Sequence, residues 1–189
     1  MMPLLLAKHT PVTYATWDPA GKSASITLSG SNLIATGPSS TGTFYAVRST
    51  IGKASGKWYW ELTIGTVGSQ ANGIGSSSQL LEPDSSLTDL EGLRVYYKGG
   101  DKYQSGGSPV AYGAAYVGGD VLGAKLDMDA KTLEMLKNNS SQGTLVSGLT
   151  GTMYAYFAST GSTLGSVTAN FGASPFVYSL PAGYSGLLV

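Results

Sequence analysis

The sharpest pattern in the chain lies over residues 57–64, where Trp58, Trp60, Leu62 and Ile64 alternate with Lys57, Tyr59, Glu61 and Thr63. A period of two is that of a strand, whose successive side chains point to opposite faces of a sheet, so the first set is expected to face a core. Strand-length runs also occupy 25–28, 32–36, 45–51, 121–128, 132–137, 152–158 and 166–171. Turn-forming clusters stand between them, among them Asp18-Pro19-Ala20-Gly21, Ser29-Gly30-Ser31-Asn32, Lys98-Gly99-Gly100-Asp101 and Gly118-Gly119-Asp120. Apolar spacing near 3.6 occurs only over 79–94 (Leu80, Leu87, Leu90), and Pro83 and Gly92 limit a helix there to a turn or two. Many short strands, with no repeat and no linker, predict an all-β fold: a two-sheet antiparallel sandwich with at most one short helix.

Length and composition narrow the picture further. A chain of 189 residues is the size of one domain. We divide it into an N-terminal anchor or edge strand over 1–12 and a sandwich over 13–189. Lys plus Arg and Asp plus Glu are 11 each, so no net field gathers phosphates, and nucleic acid is not an expected partner. Cysteine is absent, which excludes disulfides, thiolate catalysis and Cys-based metal sites. The apolar run at Leu4, Leu5 and Leu6 is too short for a signal peptide and no basic segment precedes it. No stretch approaches the roughly 20 apolar residues of a membrane helix, so the protein is expected to be soluble and not to insert in a membrane. Leu4, Leu5 and Leu6 are either an assembly contact that grips a neighbouring subunit or part of an edge strand.

Candidate chemistry is sparse. The single histidine, His9, precedes the first strand, which leaves a serine nucleophile without a base. Glu61 reads either as a hydrogen-bonded residue on the outward face of its strand or as a glycosidase carboxylate; Glu134 would join it only if the two strands pair. Asp127 and Asp129 fit an ordinary hairpin turn over Asp129-Ala130-Lys131-Thr132, or a hard cation. No metal, cofactor or catalytic residue is expected. The tyrosines Tyr96, Tyr97, Tyr103, Tyr112 and Tyr116, with Lys98, cluster in a Gly-rich region, and we take them as candidate binding residues because Tyr supplies a large rigid contact area with a polar tip. About half of these rings are expected to be core.

Three blocks then carry a resemblance. Gly56-Lys57-Trp58-Tyr59-Trp60-Glu61-Leu62 resembles the opening strand motif of SPRY domains. Gly119-Asp120-Val121-Leu122-Gly123 resembles the family's Gly-Asp-Val-Ile-Gly strand, and the segment 132–139 stands where the family has a strand ending in Lys-Asn-Gly, here with Asn139 in place of the glycine. Asn170-Phe171-Gly172-Ala173-Ser174-Pro175-Phe176 is similar to the closing Asn-Phe-Gly-x-x-Pro-Phe motif. The likeness covers roughly 47–178, and 13–50 would supply the leading strands. It implies a concanavalin A-like sandwich and a binding module, not an enzyme, whose loops hold a protein partner. A stand-alone, cysteine-free, Gly/Ser/Thr-rich chain of this kind resembles structural proteins of tailed bacteriophages. That likeness implies a virion location, as capsid decoration or tail fibre or tip, and a homo-oligomer or symmetric assembly. A lectin-like module for cell-surface glycans is the alternative, and a glycosidase using Glu61 a further one.

Overall fold

A computed structural model of the chain describes residues 12–78, 81, 92–104 and 107–189, without the side chain of Thr41. Leu4, Leu5, Leu6, His9 and most of the 79–94 excursion fall outside the described residues. In chain order the strands are β1 (Trp17–Lys22), β2 (Thr27–Ser29), β3 (Ile34–Thr36), β4 (Ser40–Lys53), β5 (Lys57–Ile64), β6 (Ser69–Gly75), β7 (Arg94–Tyr97), β8 (Asp101–Gln104) and β9 (Val110–Ala111). They continue with β10 (Val121–Asp127), β11 (Thr132–Lys137), β12 (Ser140–Ser147), β13 (Met153–Gly161), β14 (Ser166–Asn170) and β15 (Ser185–Gly186). The described residues contain no helix.

Two sheets result. One runs β1-β4-β13-β6-β7-β8-β9, and the other β12-β11-β10-β5-β14-β3-β2, with the short β15 pairing with β5. Neighbours along both sheets are antiparallel; β15 alone runs parallel to its partner. The inner faces close on one core that includes Trp17, Val47, Trp60, Leu62, Ile74, Leu126, Met135, Phe157, Val167 and Phe171. Trp60, Leu62 and Ile64 are buried, as their alternation predicts. Trp58 lies half-buried at the strand start, its indole N–H donating to the Ser55 carbonyl at 2.7 Å and its ring beneath the Lys53 ammonium at 3.7 Å.

The three motifs have distinct mechanical roles. Asp120 accepts from the Val117 N–H at 2.8 Å and from the Asn138 amide at 2.6 Å, tying the turn before β10 to the hairpin after β11. Asn138 and Asn139 hold φ of 48° and 65°, the left-handed region a tight hairpin requires and asparagine tolerates. Asn170 donates to the carbonyls of Ser174 and Pro175 while accepting from the Gly172 N–H, so it turns the chain after β14. Phe171 meets Trp17 edge-on, 5.4 Å between ring centres, in the core.

That turn sends residues 173–184 back over the outer face of β5. Glu61, on that face, is therefore sealed: it is 1% exposed. Its carboxyl oxygens accept from the Val177 N–H at 2.7 Å, the Tyr178 N–H at 2.9 Å and the Tyr59 hydroxyl at 3.0 Å. Phe176 packs edge-on against Tyr59 at 5.0 Å. The first and last motifs are thus two halves of one latch. Gly123 belongs to the same contact, since a methyl at that position would lie 2.8 Å from the Tyr59 hydroxyl.

Candidate functional site

The tyrosine-rich region divides between the inside and the outside of the sandwich. Along β7, Tyr96 points between the sheets and Tyr97 away from them, as neighbours on a strand must. Tyr96 and Tyr116 are buried, at 0% and 2% exposure, which corrects their assignment as binding residues: their rings are core. Tyr96 sits edge-on to Tyr112 and Tyr116, with ring centres 5.3 and 5.2 Å away. The Tyr96 hydroxyl donates to the Ala114 carbonyl. That of Tyr116 donates to the Gln70 carbonyl at 3.0 Å and accepts from the Asn72 amide at 3.0 Å. Half-buried Tyr112 donates to the Gly143 carbonyl at 2.5 Å, crossing to the second sheet. Burial pushes the Tyr96 hydroxyl up to about 12, with Asp120 adding to the rise. Burial also takes Tyr112 to about 12 against the lowering effect of the Met135 N–H. These hydroxyls remain neutral donors at ordinary pH, and their function is to wedge the β8–β9 edge against β12. Lys102 and Gln104 add two more ties across that gap, both to the Leu145 carbonyl.

Tyr97 and Tyr103 stand on the outer face of the first sheet, edge-on at 5.7 Å and half-buried. The register explains what surrounds them. Tyr97 lies opposite Ala71, Ala71 opposite Ala158, and Ala158 opposite Ala46. One row on, Tyr103 faces Val95, Val95 faces Gly73, Gly73 faces Tyr156, and Tyr156 faces Arg48. Small residues therefore run in rows across the outer face of this sheet, and with Ala46, Ala71 and Ala158 no more than 2% exposed they form a second, smaller buried cluster. Tyr97 and Tyr103 rim one side; Phe44 and Tyr154 pack against the same cluster, and Leu81 lies on it. The Arg48 guanidinium covers the Tyr154 ring at 5.3 Å and lies 3.6 Å from Asp18. Lys98, half-exposed, sits in the turn after β7, its backbone N–H bonded to the Gln70 carbonyl.

Sequence reading missed Phe44, Tyr154 and Arg48 because they come from β4 and β13, remote in the chain from Tyr97. The alternation of Tyr154, Tyr156 and Ala158 against Ala155, Phe157 and Ser159 is the local signal that β13 has a second apolar face.

The carboxylates are organised for structure. β10 lies between β5 and β11, so the strands of Glu61 and Glu134 do not pair and their backbones are two spacings, about 10 Å, apart. Glu134 is held by Lys125 at 2.6 Å and by the Ser141 hydroxyl at 2.5 Å. Asp127 accepts from the N–H groups of Asp129 and Ala130 and pairs with Lys57 at 2.9 Å, while Asp129 accepts from the Gly56 N–H. The hairpin reading of this pair is the one the geometry follows. Among the described residues no group of three or more His, Cys, Asp or Glu is placed to hold a metal ion, and no helix is long and apolar enough to cross a membrane.

Comparison with known proteins agrees with this architecture. The sequence model of the SPRY domain family matches residues 57–173. The crystal structure of the SPRY domain of human HERC1 is similar with a TM-score of 0.72 and 16% identity, covering 84% of this chain and 99% of that one. The stonustoxin structure is similar at 0.68 and 22% identity, over 84% of this chain and 27% of the toxin chain. A crystal structure of a human SPRY domain gives 0.64 and 15% identity, over 80% and 98%. At such identities these structures speak for the fold.

Proposed function

Because the chain belongs to the SPRY domain family, whose members are typically protein-binding modules, we propose that it is a non-enzymatic module that receives a protein partner at Tyr97 and Tyr103 on the outer face of its first sheet. The observation that carries this is the Tyr97–Tyr103 pair, two half-buried rings packed edge-on on adjacent strands at the margin of a buried cluster. Aromatic rings already immobilised lose little entropy on contact, and each offers a rigid apolar area with a polar tip. With zero net charge the surface suits short-range contact over long-range steering.

The double variant Tyr97→Ser with Tyr103→Ser tests the reading. It is expected to fold, since both rings lie outside the main core, and to lose at least about thirtyfold in affinity for a partner that the wild type retains, the effect of removing one strong aromatic anchor. Affinity capture followed by mass spectrometry, with the two proteins side by side, reads this; identical sets of retained proteins would remove this face from consideration. A glycan array run with the same pair checks the sugar-binding alternative.

The finer form of the proposal is a structural component of a tailed-phage particle, repeated in a symmetric assembly. It is supported by a composition of 27 glycines, 12 tyrosines and no cysteine, with few charges, which suits short-range contacts between repeated copies. Mass spectrometry of purified particles is expected to find the chain in amounts comparable with the other structural proteins, and its absence there would discard this placement.

A further inference from the structure

At the end of the sandwich where β6 finishes and β7 begins, a cleft of about 220 Å³ opens between the sheets. Arg94 lies in its wall. The residue shares its strand face with buried Tyr96 and stands opposite core Ile74, so its side chain is directed between the sheets. Its guanidinium donates to the Leu93 carbonyl at 3.0 Å, and among the described residues no carboxylate pairs with it. Partial burial holds it below the ordinary arginine value. A partly buried guanidinium that lines a cleft gains from a charged acceptor placed there.

The rest of the wall says what would pair with it. Ser76, Ser147 and Thr150 bring hydroxyls, while Val146, Leu149 and Met153 supply an apolar flank. The volume is below the about 300 Å³ at which small-molecule sites usually begin, and fits the tip of a side chain or of a peptide. A single guanidinium suits the one charge of a carboxylate, which it grips with two parallel N–H bonds; a phosphate carries about two charges.

We propose that this cleft is a carboxylate-binding site, with Arg94 as the counter-ion, the lining hydroxyls as additional donors and the apolar flank as the seat for a short aliphatic stem. The site is separate from the Tyr97–Tyr103 face and does not depend on it. An aspartate or glutamate side chain, a peptide C-terminus and a free short carboxylate share this chemistry.

Titration followed by NMR or calorimetry decides the matter with four probes: a capped pentapeptide bearing one central Glu, the same peptide with Gln, an N-acetylated trialanine with a free C-terminus, and propionate. At least one carboxylate probe is expected to bind about tenfold or more tighter than the Gln peptide, and the one that does names the source. Arg94→Gln is expected to erase that difference. Thr150→Glu, a change on an exposed turn residue, places a competing carboxylate at the mouth and is expected to do the same with the fold untouched. Equal binding of Glu and Gln peptides with no response to the other two carboxylates, or a preference that survives in both variants, overturns the proposal.

Discussion

Replacing Glu61 by alanine is expected to lower the unfolding free energy by about 3 kcal/mol, the cost of leaving two backbone N–H groups and a tyrosine hydroxyl without their acceptor beneath a covered surface. The consequence is local before it is global. Without the latch, residues 173–184 lose their attachment to the outer face of β5, and Phe176 loses its fixed contact with Tyr59. Glu61→Gln preserves the shape but offers an amide donor where an N–H already points, so an intermediate loss is expected. Urea denaturation gives the stability, and limited proteolysis within 173–184 gives the local opening. A Glu61→Ala protein with the wild-type urea midpoint and an uncut C-terminal segment would show that the latch holds nothing.

Gly73→Ala is expected to be comparably damaging, about 3 kcal/mol, at the upper end of what overpacking costs. A methyl at this position would lie 2.0 Å from the Arg94 carbonyl oxygen and 2.8 Å from the Val95 Cα, both of them backbone atoms that no rotamer change can move aside. Strand β7 must then shift away from β6, carrying with it Tyr97 of the outer face and Arg94 of the cleft. Gly99→Ala is the control, because a methyl there finds its nearest neighbour at 3.6 Å and meets no strain. Thermal unfolding is expected to show a clear drop for the first and none for the second. Equal melting of both would mean that Gly73 does not face Val95 in the manner described.

Both predictions turn on residues whose importance the sequence displays only in part. Glu61 stands out as the acidic member of an aromatic strand, yet the alternation placed it simply on the outward face. That the face is covered depends on residues 176–178, more than a hundred positions away, and on Asn170 turning the chain toward them. Gly73 carries no signal at all. The segment Gln70-Ala71-Asn72-Gly73-Ile74-Gly75 has little apolar alternation because β6 is buried on both faces, and it was not foreseen as a strand. β1, β7, β8, β9 and β12 were passed over for a related reason: β1 contains Asp18-Pro19-Ala20-Gly21, expected to be a turn, the others are short or Gly-bearing, and their pairing, not their composition, makes them strands.

The binding residues show the same division. Tyr97 and Tyr103 lie on the surface and remain the proposed contact, whereas Tyr96 and Tyr116 turn inward and Tyr112 ties one sheet to the other. Adjacent residues on one strand fall on opposite sides, so a cluster counted along the chain is split by the sheet it belongs to.

By itself the sequence determined that the chain is all-β and that Trp60, Leu62, Ile64 and Phe171 build the core of a sandwich, since a two-residue period and the turn residues that interrupt it are local properties. It also carried the three motifs of the family. Only the tertiary structure decided which outer faces are covered, which tyrosines reach solvent, and that an arginine points between the sheets. Those outcomes depend on which strands become neighbours across long stretches of chain, and hydrogen bonds between distant strands leave no periodic trace in the sequence of either one.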